Sequence, residues 1–385
     1  MQAEVDLADA RRVTPTGTRR EGRRGVWVRS LWGDFRIERA YYTRTEGGDG
    51  YAPADGMMGL WGAYTPAMAR TLSKLAAQLP FEAAADLLRE ATTAAVNGRQ
   101  FHRLTTETAT AMRRWTARLK PSTAIHDTMY ISFDGTGVPM RRECLVGRKG
   151  RGPDGQSRTR EMRLGCVFTQ TTVDDEGQPV RDADSTTYIA GLASSRVFGR
   201  AVKKEAIRRG MKNARRVVVL TDGAKWCETA AAMNFPGHLH ILDFYHAAQH
   251  VRDLSVALYA DGRDATVHFR LWRRALLRGK AAELLAAASD QLTKAHDPDA
   301  AQREINYLTH NLSRMQYASY RQQGLFIGSG VIEAGCKTVV AQRAKLSGMF
   351  WGVQGVEDVL TLRCQLLGGQ IDLFWDDAFA GQATG

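Results

Sequence analysis

Stretches of period two and stretches of period 3.6 follow one another along the chain. From Val26 to Thr43, VWVRSLWGDFRIERAYYT alternates on both sides of Gly33-Asp34, which predicts a β-hairpin. Residues 1–24 ahead of it are polar and rich in Arg and Thr, and are expected to be loosely ordered. A Gly-rich loop, EGGDGYAPADG, closes this small β module. Helical periodicity comes next. Thr65-Pro66 is a cap with Pro at the first helical position and opens a helix to about Gln78. FEAAADLLREA is a second helix. Asn97 with Gln100 three residues on reads as a capping box, and a third helix runs from there until Pro121 stops it.

The pattern then changes to short apolar runs. TMYISFDG, MRLGCVFTQTTV and STTYIAGL read as three strands, the last two flanking the turn-like DDEGQPVRDAD. A basic helix from about Val197 to Arg209 leads into RRVVVLTDG, and a helix from about Trp226 to Met233 leads into HLHILDFYH. Three strands in a meander and two entered through helical crossovers predict an α/β fold with a mixed five-stranded sheet and flanking helices. From His246 to about Gln323 the periodicity is helical, with no strand signal. After GLFIGSGVIEAGCK it is helical again, with Glu333 near the start.

Composition narrows the function classes. With 385 residues, 44% of them hydrophobic, the chain can bury a sizeable core and more than one domain. No run approaches the ~18 consecutive apolar residues of a membrane span. MQAEVDLADARRV has no apolar core, so it is not read as a signal peptide, and a soluble cytoplasmic protein is expected. The five cysteines are scattered without a Cys-x-x-Cys pair, which argues against a disulfide framework or a cysteine zinc site and for plain buried thiols. The net charge of +12 suits a polyanion partner, although an ordinary basic enzyme shares it. Clustering strengthens the first reading: between Arg200 and Arg216 stand eight Arg or Lys residues (200, 203, 204, 208, 209, 212, 215, 216) against Glu205 alone. A second basic block spans Arg141 to Arg163. Single-sign blocks suit phosphates.

Three strand-like runs end on an acid: Asp134, Asp222 and Asp243. Asp-Gly after a strand is also a common turn. If the first and fourth strands are neighbours, however, Asp134 and Asp222 lie about 5 Å apart across their tips. Glu333 on a covering helix would complete an oxygen-rich pocket for Mg²⁺ or Mn²⁺, two ions about 4 Å apart stabilising the attacking and leaving oxygens of phosphodiester chemistry. His238 and His240 share a strand face and His246 and His250 a helix face, so a zinc site is the rival, but period two sets the first pair opposite Asp243. The three N-terminal helices read either as a helix-turn-helix or as an ordinary bundle. In the first case Arg99, Gln100 and Arg103, opening the third helix, would read base edges, while Arg148, Lys149 and Lys203 in the charge blocks would hold phosphates. Lys337, one turn beyond Glu333, would touch a phosphate or form an i,i+4 ion pair. Gly328-Ser329-Gly330 is a weak phosphate-loop match, better suited to close helix packing. Trp272 is a base-stacking platform or a core residue.

ISFDGTGVPM, RLGCVFTQT, VVVLTDGAKW, HILDFYHAAQH and GSGVIEAGCK together resemble a bacterial insertion-sequence DDE transposase of the ISKra type, a group similar to the Mutator-like transposases. The resemblance runs from about Val26 to Trp375. It implies an RNase H-like domain with Asp134, Asp222 and Glu333 as triad and metal ligands, interrupted by an all-helical insertion. Asp243 and His246 match the Asp/Cys-x-x-His signature of the Mutator-like enzymes and are taken as site-proximal. The implied organisation is a β-hairpin module at 1–60, a helix-turn-helix-like domain at 61–120, catalytic core at 121–245 and 324–385, and the insertion at 246–323. Double-stranded DNA, as element ends and target, is the implied partner, bound by a dimer or higher oligomer. The alternatives are an RNase H-like nuclease without strand transfer and a domesticated DNA-binding protein. Two departures stand out. Many relatives carry Cys-x-x-Cys after the tyrosine pair, where Tyr41-Tyr42 is followed by Thr43-Arg44-Thr45-Glu46, so no zinc ribbon carries over. The chain also starts close to the β module, where an upstream segment precedes it in many relatives.

Overall fold

The computed structural model describes residues 1–10, 14, 16–48, 50–148, 150, 155 and 157–383. They divide into two units, Met1–Arg118 with Gly352–Gly385, and Leu119–Trp351.

In the first unit, helix α1 (Gln2–Ala10) precedes the hairpin of β1 (Thr18–Ser30) and β2 (Gly33–Arg44). The hairpin turns at the expected Gly33, but its first strand starts eight residues before Val26, and residues 2–10 are helical where loose order is expected. The reason is tertiary: Val5 is buried with Val28, Ile37, Ala54 and Leu60, and Gln2 and Asp9 accept from the β2 N–H groups of Glu38 and Ala40. A short helix α2 (Pro53–Met57) leads to α3 (Pro66–Gln78), α4 (Phe81–Ala91) and α5 (Gly98–Arg118). The buried face of α5, Phe101, Leu104, Thr108, Met112 and Trp115, keeps helical spacing.

The second unit is built on five strands: β3 (His126–Pro139), β4 (Thr159–Gln170), β7 (Thr187–Gly191), β8 (Ala214–Thr221) and β9 (Leu239–Leu242), with a small ribbon of β5 (Thr172–Val173) and β6 (Pro179–Val180) between β4 and β7. The sheet order is β7-β4-β3-β8-β9. β4 runs antiparallel to both of its neighbours, β7 and β3, and β8 and β9 run parallel to β3. Central strands covered on both faces need continuous apolar runs, which is why Tyr130, Ile131, Val218 and Val219 are all buried. One face, through Met129, Ile131, Phe133, Val217 and Val219, packs on α6 (Ser195–Arg208) and α7 (Lys225–Asn234). Burying a side chain such as Phe133 contributes about 2–3 kcal/mol.

On the other face Tyr130 stacks on Phe168 at 4.9 Å, and Phe326 meets it edge-on. Between β9 and that face the described chain is helical: α8 (Phe244–Tyr259), α9 (Arg263–Leu277), α10 (Ala281–Asp290), α11 (Pro298–His310) and α12 (Tyr317–Gln322). Trp272 on α9 is buried among these helices, the core alternative. The chain returns to the sheet as α13 (Gly330–Gly335), which passes through a π-helical segment, Cys336–Ala341, into α14 (Gln342–Ala344). Gly335 allows the approach: a Cβ there would lie 2.9 Å from the Tyr188 ring and 3.0 Å from Leu164.

The last two helices, α15 (Val353–Leu367) and α16 (Ile371–Ala383), correct the sequence-based division at 324–385. They belong to the first unit, not to the sheet. Their polar groups find partners there. Asp358, buried, pairs with Arg113 of α5, and Asp372 with Arg70 and Lys74 of α3. The Trp115 indole donates to Asp377 at 2.9 Å. Trp375 is fully buried, edge-on to Trp61 at 5.0 Å. Trp375→Ala is therefore expected to cost roughly 3–5 kcal/mol in denaturant unfolding of the first unit. A cost under about 1 kcal/mol would mean that α16 is not part of that core.

Candidate active site

The register of the parallel strands sets the site. Phe133 of β3 pairs with Thr221 of β8, and Thr221 with Leu242 of β9. The next residue on each strand is Asp134, Asp222 and Asp243. The row continues past the named pairs, since the Asp243 N–H donates to the Thr221 carbonyl at 2.8 Å. Neighbouring strands lie about 4.8 Å apart, so the three acids stand side by side.

The sequence suggests that Asp134 closes its strand, but it does not. β3 runs on to Pro139, and Asp134 pairs with Leu164 across the antiparallel ladder. The turn reading of Asp134-Gly135 is thereby removed. Glycine serves another purpose there: a Cβ on Gly135 would lie 2.8 Å from the Glu161 carboxylate. Leu164, opposite Asp134, is the residue that Gly335 packs against, so Asp134 faces the helix α13 that carries Glu333.

Each carboxylate is held. Asp134 Oδ1 accepts from the Gly135 N–H at 2.6 Å and Asp222 Oδ1 from the Ala224 N–H at 3.1 Å. Glu333 Oε1 accepts from the Ser329 hydroxyl at 2.9 Å. Burial pushes the Asp134 carboxyl above its ordinary value. The Gly135 N–H and the Cys336 thiol oppose the rise, and the charges of Asp222 and Glu333 add to it. The three acids are thus within electrostatic reach of one another. Among the described residues, no three His, Cys, Asp or Glu side chains are already gathered closely enough to hold an ion. The donor set nevertheless suits a hard cation: three oxygen ligands whose mutual repulsion a positive ion would relieve.

Two thiols belong to the site that the sequence reading missed. The Cys336 thiol lies close enough to Asp134 to act on its carboxylate, and the Cys227 thiol, which donates to the Phe133 carbonyl at 3.9 Å, feels the charge of Asp222. Burial, then the neighbouring carboxylates, raises both thiols well above the ordinary range, so they stay protonated and can donate. The available signal was proximity: each follows a motif acid by a few residues.

Asp243 is 1% exposed and caps α8, its Oδ1 accepting from the His246 N–H at 2.6 Å and its Oδ2 from the Ser329 N–H. Two histidines of the zinc alternative, His240 and His250, are engaged by partners outside that set. His240 lies 2.9 Å from the Thr221 hydroxyl, held down to about 4 by burial, then by Arg314. His250 bonds Glu304 at 2.6 Å, and its ring meets that of His246 at 5.2 Å.

The candidate DNA contacts fall in both units. At the start of α5, Arg99 is exposed. Gln100 completes the reciprocal box with Asn97, which occupies its amide oxygen. Arg103 lies 3.8 Å from Glu107. In the second unit Arg148 and Lys337 are exposed and Lys203 is half-buried on α6. Lys149 lies outside the described residues. Among the described residues no helix is long and apolar enough to cross a membrane.

No protein-family model matches the chain, and no curated protein matches it. Among solved structures it is similar to one described as the Drosophila P element transposase strand transfer complex, at 8% identity, covering 81% of this chain and 80% of that chain, with a TM-score of 0.29. That likeness is too loose to argue from, and the ISKra-type resemblance rests on the quoted motifs.

The raised Asp134 carboxyl has a signed consequence. Its charged form is disfavoured in the folded state, a cost present at neutral pH and lost as pH falls through the carboxyl's titration. In a chelator, Asp134→Asn is expected to raise Tm at neutral pH, and the gain should shrink towards acid pH. A Tm lowered equally at both would place Asp134 outside any repulsive cluster.

Proposed function

We propose that the chain is a DDE transposase of the ISKra type, which cuts DNA at the ends of an insertion sequence and joins them to a target. One observation carries the reading: the β3/β8 register sets Asp134 beside Asp222, with Glu333 on the helix facing Asp134 and close enough to act on its charge. Asp134, Asp222 and Glu333 would hold one or two Mg²⁺ or Mn²⁺ ions, which supply Lewis acidity at the scissile phosphate. The protein's own groups do the rest. The Gly135 and Ala224 N–H groups and the Ser329 hydroxyl fix the carboxylate oxygens before substrate arrives. Water attacks the phosphodiester, leaving a 3′-hydroxyl and a 5′-phosphate. The freed 3′-hydroxyl then attacks a target phosphodiester at the same site, forming a new linkage and releasing a target 3′-hydroxyl. No covalent protein intermediate is needed. Two element ends require two such sites, which favours a dimer or higher oligomer on DNA.

Asp134→Asn, Asp222→Asn and Glu333→Gln are each expected to reduce Mg²⁺- or Mn²⁺-dependent cleavage of end DNA by ~10²-fold or more while leaving DNA binding nearly unchanged. Near-normal cleavage by one of them removes that residue from the triad. Cleavage without joining by the unaltered chain, given pre-cut ends and target, would favour the plain RNase H-like nuclease.

Recognition and affinity should separate. Arg99→Ala or Arg103→Ala is expected to lower preference for element ends by about 1–3 kcal/mol, the size of a lost bidentate base contact. Lys203→Ala should weaken all duplexes alike and flatten the salt dependence. Competition binding at two salt concentrations reads both, and full end preference in both arginine variants would move recognition elsewhere.

A further inference from the structure

Glu333 sits on an exposed position of a six-residue helix that follows a glycine-flanked loop. A glutamate in such a place has three free rotors, and ordering it costs entropy. We propose that Ser329 is a positioning residue that fixes the Glu333 carboxylate for cation binding, and that the buried Asp243 fixes Ser329; this rests on the triad reading above.

The connection is continuous. Thr221, the residue before Asp222, accepts from the Asp243 N–H at 2.8 Å. One Asp243 oxygen takes the His246 N–H and the other takes the Ser329 N–H. The Phe244 N–H donates to the Ile327 carbonyl at 2.8 Å, pinning the same loop a second time. The Ser329 hydroxyl then donates to Glu333 Oε1. Ser329 is 6% exposed, so water does not compete for that bond as it would on a surface. With both oxygens taken by backbone donors and almost no exposure, Asp243 serves as a clamp between the strand that bears Asp222 and the loop that leads to Glu333. This accounts for the third strand-end acid without making it a ligand. It also accounts for Gly328, where a Cβ would lie 2.9 Å from the Tyr245 ring and 3.8 Å from the Asp243 carboxylate.

The test uses the full chain with Ser329→Ala, Ser329→Thr, Asp243→Asn and Glu333→Gln. Mn²⁺ binding is followed by calorimetry without DNA, and cleavage of end DNA is followed against Mn²⁺ concentration. Ser329→Ala is expected to weaken Mn²⁺ binding and shift the cleavage midpoint by about threefold to tenfold, the range for one side chain left unordered, with little change in maximal rate at saturating Mn²⁺. Ser329→Thr, which keeps the hydroxyl, should restore both. Asp243→Asn should shift the midpoint in the same direction without adding to Ser329→Ala in the double variant. An unchanged Mn²⁺ dependence in Ser329→Ala, or a threonine variant as impaired as alanine, overturns the proposal. If Asp243→Asn does not fold, the Ser329 pair decides alone. Glu333→Gln separates the two levels. Normal cleavage by that variant defeats the triad itself, whereas an inactive Glu333→Gln beside a wild-type-like Ser329→Ala defeats only the positioning role.

Discussion

Phe133 opposite Thr221 is the pairing on which the site depends. A parallel strand shifted by one residue turns every side chain to the other face. Here that would push Met129, Ile131 and Phe133 out of the α6/α7 core and turn Asp134 away from α13. The burial of Phe133, Val217 and Val219 in one cluster therefore holds a register that the acids themselves would not choose. The carboxylates repel, and the hydrophobic core keeps them together.

The same tension shapes the surroundings of the acids. Asp134 is raised first by burial and then by its acidic neighbours, with a backbone N–H and a thiol as the opposing influences. Cys227 and Cys336 are kept protonated by burial, so they stand near the carboxylates without adding charge. Glu161 bonds Arg163 at 2.8 Å, so the further acid near Gly135 is neutralised within its own strand. Among the described residues Asp134, Asp222 and Glu333 form no ion pair, and in the proposed function a hard cation would offset their charge.

The five-stranded mixed sheet was legible because its central strands are apolar on both faces and its acids follow directly after those runs. The position of Asp134 inside β3 was not, because Asp-Gly reads locally as a turn and only pairing with Leu164 carries the strand onward. Helix α1 was hidden because its sequence is polar, and its anchors, Val5 in the hairpin cluster and Gln2 and Asp9 on the β2 backbone, act only once the hairpin has formed. The allegiance of α15 and α16 was hidden for a different reason. An amphipathic stripe says that a face is buried but not against what, and their partners Arg113, Arg70 and Trp115 lie more than two hundred positions earlier. The thiol contacts and the Asp243 to Ser329 bond join segments that only the folded sheet brings together.

Asp134, Asp222 and Glu333 are proposed to form one cation site. Anomalous diffraction at the manganese edge from crystals of the chain soaked in Mn²⁺ tests it most directly. One or two peaks are expected at about 2.1 Å from carboxylate oxygens of Asp134 and Asp222, with Glu333 reaching one of them. Mn²⁺ bound at other acids, with these three carboxylates bare, would contradict it.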